Sequence, residues 1–124
     1  VTQRGFSLLE CLVALAILGM ILAGVVPAFF HYMDVNTRNE LRTGAIAAAQ
    51  EQMELTRGVD PQSMPSSGSA GPVFIDVGGR EFEVLTTYCA NAGYCGTDTR
   101  HVVVEVSFGG NTLYRTETVY TRLR

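Results

Sequence analysis

Two places in this sequence carry side chains whose types and spacing can do chemistry. The first is Glu10, almost at the start of the apolar stretch "RGFSLLECLVALAILGMILAGVVPAFF". A carboxylate held in lipid costs about 2.5–3.5 kcal/mol even on lenient insertion scales, so something must offset it. One account of the offset is local. Ser7 and Glu10 have the S-x-x-E spacing of a capping box, and an acid in the first helical turn complements the helix dipole. The second place is "YCANAGYCG", where Cys89 and Cys95 bracket a short loop six residues before His101. An oxidising location would let the two thiols form a structural disulfide. As a zinc pattern the same C-x5-C-x5-H is poor, because no fourth ligand is evident. Cys11, inside the apolar run, reads as a small apolar residue.

Elsewhere the chemistry thins out. His31 and His101 have no serine nucleophile elbow and no acid at a recognisable catalytic spacing, so an enzyme is not expected. "VGGRE" and "FGGN" lie between β-rich runs and read as hairpin turns, not phosphate loops, and no cofactor is called for. The chain of 124 residues has twelve acids against nine basic residues, all of them arginine, for a net charge of -3. Arg100, Arg115, Arg122 and Arg124 are interleaved with Asp98, Glu105 and Glu117, which argues against direct nucleic-acid binding.

The elements that must position these groups follow from periodicity. Cys11 to Phe30 gives twenty residues without a formal charge, and at about 1.5 Å per residue such a helix crosses a hydrocarbon layer of roughly 30 Å. A cleavable secretory signal would stop sooner, at a small-residue site. From Met33 to Arg57 the pattern turns amphipathic: Leu41, Ala45, Ala48 and Met53 lie near one face, with Ile46 and Ala49 beside it, and Gly58 and Pro61 supply a stop. The Pro-, Gly- and Ser-rich stretch 58–72 reads as a loop. Four β-rich runs follow, "VFIDV", "REFEVLTT", "HVVVEVSF" and "TLYRTETVYTRL", with clear alternation at Val102, Val104, Val106 and Phe108 and partial alternation at Phe82, Val84 and Thr86. The last run mixes apolar and charged residues on one parity, so its inner face is open. The expected fold class is α+β, a long amino-terminal helix followed by a small antiparallel sheet.

"RGFSLLE" resembles the cleavage and methylation motif of type IV pilins and pseudopilins. The resemblance implies a prepilin peptidase that cuts between Gly5 and Phe6 and methylates the new amino terminus of Phe6. Glu10 becomes the fifth residue of the processed chain, and the implied role of its carboxylate is to neutralise the terminal ammonium of a neighbouring subunit during assembly. Gly19 and Pro27 match a helix-breaking pair that loosens in assembled filaments of that family. The tail "AAAQEQMELTR" looks like minor pilins of the V type and I-type pseudopilins, and the close cysteine spacing, narrower than in major pilins, points the same way.

On this reading residues 1–5 are a leader, 6–32 the transmembrane and filament-core helix, 33–57 its amphipathic continuation, 58–72 a loop and 73–124 the sheet head. The implied partners are other pilin or pseudopilin subunits, the prepilin peptidase, an inner-membrane assembly platform and membrane lipid. The implied location is the bacterial inner membrane, single-pass with the head outside the cytoplasm, and then a pilus or pseudopilus. The alternative is a membrane-tethered extracytoplasmic binding module whose helix is a plain anchor.

Overall fold

The computed structural model describes residues 5–122, in the order α1 (Leu8–Arg57), β1 (Gly68–Val77), β2 (Arg80–Tyr88), a short 3-10 turn (Ala92–Tyr94), β3 (Thr99–Phe108) and β4 (Asn111–Thr121). Of the expected leader only Gly5 falls among these residues, and the last two residues of the expected head lie outside them. The four strands form one antiparallel sheet in the order β1-β2-β3-β4. The chain is thus α+β, a long apolar helix followed by a sheet. It divides into two units, Val1–Arg38 and Asn39–Arg124.

In the second unit, the head, the helix residues after Asn39 lie against one face of the sheet. Ala45, Ala48 and Ala49 are fully buried with Ile75, Phe82, Val84, Val102, Val104 and Val106, while Leu41 and Met53 pack at the margin. Small side chains bring helix and sheet close. Gly44 marks the closest approach, since a Cβ there would stand 2.6 Å from Cζ of Phe82. Thr86 is buried in this apolar layer, and Nε2 of Gln52 donates to its hydroxyl at 3.3 Å, so it carries no desolvation penalty.

The sheet settles the open face of β4. Tyr114, Thr116, Thr118 and Tyr120 are half-buried, whereas Arg115, Glu117 and Val119 are exposed. Their cross-strand partners Val106, Val104 and Val102 are core residues, so the even-numbered residues of β4 face inward. The tyrosine hydroxyl explains why sequence alone left this open: Tyr120 donates to the backbone carbonyl of Met53 at 2.8 Å, which lets a polar tip close the core beside the helix. Burial, followed by the nearby Glu54 carboxylate, raises the Tyr120 phenol above its ordinary value of 10.0, with Arg57 acting against them.

The segment 58–72, expected to be loop, gives its last residues to β1. Gly68–Ala70 pair with Tyr88–Thr86, the register shifts, and Val73–Val77 then pair with Val84–Arg80. Proline signals read from sequence alone favoured a loop here. Pro72 is tolerated because β1 is an edge strand and the proline sits at its register shift, where a missing N–H need not break the ladder. The hairpins at Gly78–Gly79 and Gly109–Gly110 have positive φ at both central residues, the conformation of a two-residue type I′ turn.

Candidate processing and assembly site

The amino-terminal site is built on the start of α1. Ser7 caps the helix: its carbonyl accepts from the N–H groups of Glu10 and Cys11 at 3.0 and 3.2 Å, and its Oγ accepts from Glu10 N–H at 3.4 Å. This is one half of the capping box expected from the S-x-x-E spacing. The other half would bring the carboxylate back to the cap, yet among the described residues the Glu10 carboxylate has neither hydrogen bond nor ion pair. Its charge is met by the helix dipole alone.

Gly5 and Phe6 precede the cap. A Cβ on Gly5 would meet nothing within 4 Å, and its φ is not left-handed, so neither packing nor backbone shape demands a glycine there. Phe6 is 81% exposed. Every side chain from Gly5 to Glu40 is exposed, including Leu12, Ile17, Ile21, Val25 and Phe29. The helix is long and apolar enough to cross a membrane, and its most apolar window buries nothing within the chain. It runs unbroken through Gly19, Gly24 and Pro27. Pro27 has no N–H to give the carbonyl of Ala23, so one helical hydrogen bond is missing at that turn.

The cysteine loop gives a second, separate feature. Cys89 and Cys95 form a disulfide, so the thiolate pair that a metal site would need is already spent. The loop folds over the face of the sheet opposite α1. Beneath it His101 is 4% exposed: Cys89 N–H donates to its carbonyl at 2.7 Å, Asn91 N–H points at its Nδ1 at 3.4 Å, and its ring lies 5.9 Å from that of Tyr94. Its Nε2 stands 3.6 Å from Glu117. Sequence reasoning treated His101 as a strand start. Its outward parity gave no sign that a loop would cover it.

Other ties in the head were also out of reach of local pattern, because they join residues far apart in sequence. Arg80 pairs with Glu40 at 3.1 Å, and Arg122 reaches both Asp60 at 3.7 Å and Gln62 at 2.9 Å. Among the described residues no group of three or more His, Cys, Asp or Glu side chains is placed to hold a metal ion.

The family description "Prokaryotic N-terminal methylation motif" matches residues 2–26. No curated protein and no solved structure matches the chain. The motif covers the capped helix start, the free carboxylate and most of the exposed apolar run, and it defines a structural class of pilin type, not a class of enzymes. A long amino-terminal helix leading into an antiparallel sheet is consistent with a type IV pilin-like protein, and the motif supports a prepilin-peptidase substrate of pilin type.

Proposed function

We propose that the chain is a structural subunit, a minor pilin or pseudopilin, of a type IV pilus-like filament. The reading rests foremost on the Glu10 carboxylate, which stands without a partner at the head of a helix whose apolar side chains are all uncovered. A plain anchor gains nothing from such a group. A filament subunit does, because the ammonium freed by cleavage on one copy and the carboxylate on the next are two costly charges in lipid and one pair in protein.

Cleavage falls between Gly5 and Phe6, and methylation falls on Phe6. The glycine is then explained by the peptidase that reads it, since nothing in the chain requires it. In the membrane the helix is stored as a single span with the head outside the cytoplasm. In the filament the apolar side chains exchange lipid for neighbouring helices, and the turn weakened by Pro27, with Gly19 and Gly24 nearby, is where the helix loosens. The other partners are the assembly platform and the lipid of the inner membrane. The close disulfide spacing and the small head favour a minor subunit.

Coexpression with a prepilin peptidase tests this. The expected product is a chain beginning at methylated Phe6, read as an intact mass. An unshortened chain beside a peptidase that processes a control prepilin overturns the proposal.

A further inference from the structure

The head carries ten acidic residues against seven arginines from Asn39 onward, and its charges are unevenly matched. Arg57, Arg80, Arg115 and Arg122 each have a carboxylate at 3.8, 3.1, 3.4 and 3.7 Å respectively. Among the described residues of the head, Arg42 and Arg100 have none. Arg42 is exposed on the helix. Arg100 is half-buried, and its guanidinium is held in place by backbone carbonyls alone: Nε donates to Met64 at 3.4 Å, and Nη1 donates to Thr99 at 3.0 Å and to Gly96. Among the described residues the Nη2 protons have no acceptor. The side chain lines an open cleft of about 520 Å³, walled by the Cys89–Cys95 disulfide and carrying Ser66 and Ser67 on its rim. A guanidinium already oriented by three carbonyls loses little further freedom when it takes a carboxylate.

The same head carries the complementary excess. On the face of the sheet opposite the helix, Asp76 stands directly across the β1–β2 ladder from Glu81, and Glu83 follows on the same face. Like charges directly opposite each other on a sheet are destabilising. Asp76 takes one backbone bond, from Gly79 N–H at 3.2 Å, while among the described residues Glu81 and Glu83 have no hydrogen-bonding or ionic partner for their carboxylates. An arginine without a counter-charge and an acidic row without a cation thus occupy different places on one molecule.

We infer that the Arg100 cleft of one copy receives the acidic row Asp76, Glu81 and Glu83 of a second copy. The contact is heterologous, with different patches on the two partners, and such contacts build rings or open filaments instead of closing into a pair. It rests on the filament reading for its purpose, where it would join heads of neighbouring subunits, but it is measurable without processing or assembly.

The experiment uses the full unprocessed chain in detergent micelles, with self-association followed by sedimentation. Glu81→Arg/Glu83→Arg removes one patch and Arg100→Glu the other. Each variant alone should associate at least about tenfold more weakly than the parent. An equimolar mixture should regain association of at least parental strength, because the intact cleft of one variant meets the intact row of the other and the two reversed patches are again of opposite sign. If Arg100→Glu fails to fold for want of its carbonyl staples, the glutamate variant still decides, because those carboxylates tie nothing within the chain. Raising the salt from about 0.05 M to about 0.5 M should also weaken the parent's association. Parental association in the glutamate variant, or a mixture of two folded variants that stays monomeric, overturns the inference. A failed contact in a chain that is still cut at Gly5 leaves the pilin reading standing, and a contact found in a chain that is never cut leaves this one standing.

Discussion

The two halves of this molecule treat polar and apolar groups in opposite ways. In the head, the buried hydroxyl of Thr86 has the Gln52 amide, the Tyr120 hydroxyl has the Met53 carbonyl, and no buried side-chain polar atom among the described residues lacks a partner. Along the first part of α1 the reverse holds: the apolar side chains are uncovered and the Glu10 carboxylate is alone. The buried polar groups of the head are matched internally. The first segment can satisfy its exposed groups only with other molecules, lipid or protein.

The sharpest way to break the comparison is to remove the lone carboxylate. Glu10→Ala should leave the head's secondary structure and melting unchanged, because no contact of the head involves it. Incorporation into filaments should fall at least about tenfold, since stripping one member from a buried ion pair costs about 3–5 kcal/mol. Pull-down of co-assembled subunits measures this, and normal incorporation would remove the pairing role.

In the head the comparison predicts large costs at tight packing and none in processing at Gly5. Gly44→Ala drives a methyl into the buried Phe82 ring, 2.6 Å from Cζ, and should cost about 1–3 kcal/mol as overpacking. Cys89→Ser/Cys95→Ser opens the disulfide ring, whose six-residue separation corresponds to about 2 kcal/mol of loop entropy. Denaturant unfolding of the full chain in micelles, followed by the sheet signal, reads both. Both variants should still be cut at Gly5 by the peptidase, and a processing defect equal to that of a Gly5 variant would show that cutting depends on the fold of the head.

How much was legible beforehand follows the same division. The apolar span and the alternation at Val102, Val104 and Val106 are local, and periodicity with residue type is enough to read them; the motif around Gly5, Phe6 and Glu10 is local too, but it is legible only by its resemblance to a known family. The face of β4 was not legible, because Leu113 and Val119 share a parity with Arg115 and Glu117, and only long-range ties, the pairing with the core residues Val102, Val104 and Val106 and the bond from Tyr120 to Met53, decide it. The start of β1 was hidden behind Pro72, whose edge position no single strand reveals. The burial of His101 depends on a loop laid across the sheet, which spacing of the two cysteines does not show.

The smallest effect concerns that same tyrosine. Tyr120→Phe removes the hydrogen bond to the Met53 carbonyl, which should cost about 0.5–1.5 kcal/mol at neutral pH. The alkaline limb is more telling. Because the phenol's value is raised in the folded state, chiefly by burial and next by Glu54, the folded head holds this proton where the unfolded chain has begun to release it. The stability tied to that proton is fully present below pH 10.0, the ordinary value, and is lost as the pH climbs from there through the raised value. The Phe variant has no such proton, so its midpoint of unfolding should fall less steeply than the parent's above pH 10, and the gap between the two should narrow. Parallel curves would mean that the phenol is as free as a solvent-exposed one and that the helix end beside it is not closed.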